Sequence, residues 1–175
     1  KCEIHIFDPS DRAAHMDEKV KEYGAYFHKV GLGDGFDVAK GLWGYTGKQG
    51  HESRQTMRLH DIVKMLGHDG KIIDILKVDI EGNEYVAFKH IFDTCDIQIV
   101  QLQIELHWYE SNENRKIIGM RSEEKNSRIG EQIIEFFRAP RNCGFYIFHK
   151  EPHPSNFPYC IEYALINTKL SYNIF

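Results

Sequence analysis

Asp79 and Glu81 follow a run of strand-forming residues, Ile73-Asp74-Ile75-Leu76-Lys77-Val78, and His107 follows a second run, Ile97 to Leu106. Carboxylates and an imidazole at the ends of neighbouring strands can align a hydroxyl and take its proton as a new bond forms. An imidazole with an ordinary pKa of about 6.5 is well matched to that task near neutral pH. The candidate catalytic set is therefore Asp79, Glu81 and His107. Asp79 or His107 would be the base, while Glu81 orients a substrate hydroxyl or completes the turn by accepting backbone N–H bonds. The competing reading of His107 is a partly buried histidine at a strand end. Glu105 and His107 share strand parity, so Asp79, Glu81, Glu105 and His107 offer oxygen and nitrogen ligands on adjacent strands. That pattern permits a divalent ion without requiring one, and no metal ligands are assigned from it. His149 and His153 read as loop residues.

The elements that must position these groups follow from periodicity. Ile73 to Val78 reads as a buried strand, Gly82 allows a tight turn, and a helix runs from about Gly82 to Phe92. An acidic strand end followed at once by a helix is where open α/β sheets hold their ligands. Upstream, Cys2 to Phe7 alternates with period two and reads as a strand ending at Asp8-Pro9. Ser10 is the expected N-cap of a helix running to about Glu22, with Gly24 as its stop. Ala25 to Val30 is a second strand, closing on the turn Gly31-Leu32-Gly33, which makes a βαβ unit. Gly41 to Tyr45, which contains Trp43, reads as a short strand or packed loop, and Gly47 to Gln55 as a surface loop. Leu59, Ile62, Val63 and Leu66 form a helical stripe stopped by Gly67. The alternation of Gln with apolar residues from Ile97 to Leu106 predicts a strand with one less dry face. Tyr109 to Asn126 reads as an excursion, and a helix from Ser127 turns Ile129, Ile133, Phe136 and Phe137 inward. The strands Phe145–Lys150 and Cys160–Asn167 then form an antiparallel hairpin across the proline-rich EPHPSNFP connection. Trp43 and Trp108 read as core or rim packing, with a substrate pocket as the alternative.

Composition narrows the classes of partner. With 175 residues the chain is expected to be one domain, spanning residues 1–175, with room for a real core. A net charge of −4 argues against nucleic acid held by bulk electrostatics. No apolar run reaches the roughly 18 residues that a bilayer-spanning helix needs. A soluble domain is expected, with cytoplasm and secretory lumen both left open. The four cysteines (Cys2, Cys95, Cys143 and Cys160) contain no C-x-x-C pair. Buried thiols are the expected state, with one bridge in an oxidising compartment as the alternative.

The pieces HIFDPS, KVDIEGNEYVAF and QLQIELHW resemble the S-adenosylmethionine-dependent methyltransferases of the FkbM-like group, on the side of the methyltransferase-like protein 24 type. The resemblance runs from Cys2 to about Asn167, and Asp79 to Glu84 carries its most specific motif. It implies an α/β fold, a Rossmann-like class I methyltransferase sheet that is mostly parallel with an antiparallel C-terminal hairpin. It also implies a first strand with a Gly-rich turn ahead of Cys2. That strand is absent from this sequence, so the stretch reads as N-terminally truncated and is expected to bind cofactor weakly, or not at all, by itself. The implied cofactor is S-adenosylmethionine, with Asp8, Pro9, Gly31, Leu32 and Asp79 around it. Asp8 would accept two ribose hydroxyls, or else favour a helix N-terminus electrostatically. The backbone of Gly31 and Leu32 would flank the adenine, or form a plain turn. The implied activity is methyl transfer, to oxygen of a small molecule or glycan. A metal-dependent hydrolase built on Asp79, Glu81 and His107, or a non-catalytic interaction domain, stands as the alternative.

Overall fold

In the computed structural model the described residues are 2–10, 15–33, 35, 55–80, 83–107, 122–152 and 160–171, the side chains of 122–132 and 171 excepted. Glu81, Gly82, Trp43, Trp108 and His153 lie outside them, as do the stretches 36–54 and 108–121 and most of the proline-rich connection.

The chain opens with the expected βαβ unit. β1 (Ile4–Phe7) and β2 (Ala25–His28) pair in parallel, Ile4 opposite Ala25 and Phe7 opposite His28, with α1 (Met16–Glu22) between them. Gly24 follows α1 at φ 72°, a left-handed conformation that costs glycine least. The entry to the helix differs from expectation. The Ser10 N–H donates to Asp8 Oδ1 at 2.7 Å, and the residue capping α1 is His15, which makes no side-chain cap bond. A short acidic side chain that bonds the backbone two residues on draws Ser10 into a turn instead of a cap. The turn expected at Gly31-Leu32-Gly33 is also different. Gly31–Leu32 form β3, paired in parallel with β4 (Thr56–Met57). α2 (Leu59–Met65) then buries Leu59 and Ile62 and stops ahead of Gly67 at φ 67°, as its stripe predicts.

The larger sheet contains β5 (Ile73–Val78), β6 (Ile99–His107), β7 (Phe145–Pro152) and β8 (Cys160–Asn167), in the order β5-β6-β8-β7. β5 and β6 are parallel, and the C-terminal hairpin is antiparallel as expected. α3 (Glu84–Thr94) and α4 (Ser122–Cys143) pack on it, and a short α5 (Thr168–Ser171), which the sequence reading lacks, ends the described chain. The fold is thus mixed α/β with parallel and antiparallel strands. Its strands, among the described residues, pair into sheets of two, two and four. Among the described residues no strand bridges β1 and β5. β5, among the described residues, pairs along one edge only, and Asp74, Ile75 and Lys77 are exposed, so it is not the fully buried strand its apolar residues suggest. No helix among the described residues is long and apolar enough to cross a membrane.

β6 separates the two faces of the larger sheet. Leu102, Ile104 and Leu106 point into a core completed by Phe88, Ile91 and Phe92 of α3 and Phe136 of α4. The Phe92 and Phe136 rings meet edge-on, 5.5 Å between centroids. Gln101, Gln103, Glu105 and His107 occupy the other face, matching the less dry side that the Gln alternation predicts. Cys95 and Cys143, at the C-terminal ends of α3 and α4, form a disulfide, with their Cα atoms 5.2 Å apart. This corrects the expectation of four thiols; the thiol form holds for exposed Cys2 and buried Cys160.

A polar cluster ties β1 to the approach of β5. His5 Nδ1 lies 3.0 Å from His28 Nε2, and His5 Nε2 lies 3.0 Å from Glu3 Oε1. His68, which follows α2, places Nε2 3.4 Å from the same carboxylate. With an ionised Glu3 as acceptor, His5 donates from Nε2 and accepts at Nδ1 from His28. Burial, and then the charge on His5, hold the His28 pKa below its ordinary 6.5. The bond from His5 lowers that of Glu3. A histidine whose folded pKa is depressed stabilises the fold fully above its unfolded value, and that contribution fades as pH falls toward the folded value. Glu3 acts in the same direction at lower pH. The melting temperature should therefore fall as pH drops from about 7 to about 5, and His28→Asn should flatten the slope. Superimposable pH profiles for the two proteins would count against this account.

Candidate active site

Three strands bring polar groups to one place. Lys77 lies opposite Gln103 in the β5–β6 register, so Asp79, two residues on, continues the face that carries Gln103, Glu105 and His107. Cys160 lies opposite His107, and Glu162 opposite Glu105. The ion pair from Lys77 Nζ to Glu162 Oε1, 2.8 Å long, reaches from β5 to β8 over this same face. Asp79, Glu105, His107 and Cys160 are thus gathered by register at the carboxyl end of β5 and β6.

His107 is buried, and its two ring nitrogens have different surroundings. Nδ1 lies 2.9 Å from Glu84 Oε1. Nε2 faces Asp79 Oδ1 at 3.8 Å and Glu105 Oε1 at 3.9 Å. Glu84 is fully buried in the first turn of α3, and its Oε1 also accepts the Ile80 N–H at 3.2 Å. A carboxylate there is favoured by the helix N-terminus, and as an acceptor it fixes the proton of His107 on Nδ1. Glu105 is buried, whereas Asp79 is half-exposed, so the group opens to solvent on the Asp79 side. Next to Glu84, burial and the neighbouring carboxylate push the Tyr85 hydroxyl pKa far up, so that this group remains protonated.

The second set of expected residues collects around β1 and β3. Asp8 follows β1, its N–H donates to His28 O, and one carboxylate oxygen accepts the Ser10 N–H. Among the described residues the other oxygen accepts no hydrogen bond, which suits a hydroxyl-bearing ligand. Pro9 packs on Gly31, where an added Cβ would come within 2.9 Å of its ring. The space spared by Gly31 is therefore filled by Pro9 and not by a ligand. The Leu32 side chain belongs to the main core, which leaves its backbone for any contact with an adenine. The structure thus brings Asp79 to His107 and Pro9 to Gly31.

A family model described as a methyltransferase domain matches residues 1–167. The chain belongs to this methyltransferase family. Relatives include the Homo sapiens protein named "Probable methyltransferase-like protein 24", 31% identical over 110 residues, and its Rattus norvegicus counterpart, 30% identical over 112. Each match covers 61% of this chain and 27% of the relative, so the chain spans about a quarter of the curated relatives it matches. No solved structure matches it. Within this methyltransferase domain, sequence reading missed Glu84 and Cys160. Glu84 lies in the motif that carries the resemblance, but reads there as a helix opener. Its distance of five residues from an acidic strand end was the available signal. Cys160 carried none, because its place opposite His107 depends on the register of β8 on β6.

Proposed function

We propose that this domain transfers a methyl group from S-adenosylmethionine to an oxygen of a small molecule or glycan, at a crevice between the Asp8 and Asp79 strand ends. The observation that carries the reading is Asp79 and His107 facing one side at the ends of β5 and β6, with Glu84 of α3 on the His107 ring, in a chain of a methyltransferase family. The contact between Glu3 and His68 supports a shared crevice, since it ties the start of β1 to the approach of β5. The strands would belong to a Rossmann-like class I sheet.

When bound, S-adenosylmethionine supplies an electrophilic methyl group on sulfur. Asp8 holds the ribose hydroxyls through its remaining acceptor positions. The backbone of Gly31 and Leu32 in β3 would border the adenine, with Pro9 packed against Gly31. Asp79 would orient the acceptor hydroxyl and take its proton as the C–O bond forms and the methyl–sulfur bond breaks, leaving the sulfur as a neutral thioether. Glu84 fixes the His107 ring beside Asp79, and Glu81 keeps its expected role of orienting the acceptor hydroxyl. A disulfide in a domain of this size favours an oxidising, lumenal setting.

Calorimetry of the full-length gene product with S-adenosylmethionine should give saturable binding. Asp8→Ala should weaken it by about tenfold or more, about 1.4 kcal/mol. Unchanged affinity in that variant would remove Asp8 from the cofactor site. Indifference to the cofactor, together with a hydrolytic activity lost to chelator, would replace methyl transfer with metal-dependent hydrolysis.

A further inference from the structure

We infer that Glu105, His107 and Cys160 form a binding site for one divalent ion of the zinc class. All three side chains are buried, and their ligand atoms lie within 4.8 Å of one another. They come from adjacent strands in fixed register: Glu105 and His107 are two apart on β6, and Cys160 faces His107 from β8. Tetrahedral ligands at zinc bond lengths sit roughly 3.3–3.8 Å apart. The group therefore closes around an ion by side-chain rotation, without any change of register.

The chemistry of the donors selects the ion. One thiolate, one imidazole and one carboxylate suit zinc and its first-row neighbours, whereas magnesium and calcium prefer oxygen alone. Glu84 prepares the histidine: with the Nδ1 proton directed at its carboxylate, the Nε2 lone pair points toward Glu105 and Asp79. A carboxylate behind a ligating histidine is the usual support of such sites. Cys160 releases its thiol proton to solvent as the sulfur–metal bond forms, and Glu105 binds as the anion. Two negative ligands then balance the ion, and the fourth position faces half-exposed Asp79. The site stands apart from the methyl-transfer reading, since it would take up its ion whether or not the domain moves a methyl group.

Cobalt(II) gives the decisive measurement, because a thiolate bound to it produces a near-ultraviolet charge-transfer band. The full chain carrying Cys2→Ser, with the Cys95–Cys143 bridge intact, has Cys160 as its remaining thiol. The cluster of Glu3, His5 and His68 can bind cobalt too, but without such a band. Titration of the metal-free protein should develop the band to a plateau at one equivalent, and zinc should displace it. Cys160→Ser should abolish the band. Glu84→Gln should weaken binding by about 10–100-fold while leaving the band in place. Absence of a charge-transfer band in the folded Cys2→Ser protein would overturn the site, whatever the other variants do. So would a one-equivalent plateau that His107→Ala leaves unchanged.

Discussion

Asp79→Ala is expected to lower methyl-transfer turnover by about 10²–10⁴-fold, the usual contribution of a positioned acid or base, with little change in melting temperature. The two readouts separate because of where the residue lies. Asp79 is half-exposed beyond the last residue of β5, so its removal leaves no cavity and exposes no core. Its carboxylate nevertheless faces His107 Nε2 at 3.8 Å, on the open side of the group. His107→Ala is the less clean test. It empties a buried position and strips Glu84, itself fully buried, of a hydrogen-bond partner. That variant should lose stability as well as rate. Glu84→Gln lies between the two: it keeps the volume but weakens the hold on the Nδ1 proton, and should reduce turnover without changing the Km for S-adenosylmethionine. If Asp79→Ala kept more than about a tenth of the wild-type rate, a loss below about 1.4 kcal/mol in the barrier, Asp79 would not be the proton acceptor.

The elements of this domain were largely legible in its sequence, and their limits show which physics sequence carries. Period-two alternation placed β1 and β6, because apolar residues such as Leu102, Ile104 and Leu106 fall on one side of the strand. The stripe of Leu59, Ile62, Val63 and Leu66 placed α2 for the same reason. What failed was local competition and long-range pairing. Ser10 has the chemistry of a cap, yet the Asp8 side chain claims its N–H first. Gly31–Leu32 look like a turn until β4, more than twenty residues on, offers them a partner. The strand of Ile73 to Val78 looks buried, but burial depends on what lies beyond its edge, and Ile75 is exposed there. The candidate site divides in the same way. Asp79 and His107 were visible as strand ends, whereas Glu84 and Cys160 entered only through the start of α3 and the register of β8 on β6.

Loss of the Cys95–Cys143 bridge is expected to lower stability by about 4 kcal/mol on the chain-entropy estimate, and this is the largest stability effect foreseen here. The two cysteines are 48 residues apart, and cross-linking a loop of that length removes much of the freedom of the unfolded chain. The position adds to the effect. Cys95, at φ 53°, ends α3 in a left-handed conformation, and the bridge fixes that end to the last residue of α4. At its other end α3 is held by Glu84 on His107. The helix that presents Glu84 is thus anchored twice, by a covalent bond below and a buried polar bond above. Denaturant unfolding of a Cys95→Ala/Cys143→Ala protein should show the lower stability, and wild-type protein in reductant should approach it. Folded at low denaturant, the double variant should retain most of its activity, because the anchor next to the site is the one it keeps. Equal stability of wild type and double variant, or four titratable thiols in the oxidised protein, would show that the bridge does not form. A stable but inactive double variant would instead mean that the two ends of α3 are coupled, and that the geometry at Glu84 depends on the distant cross-link.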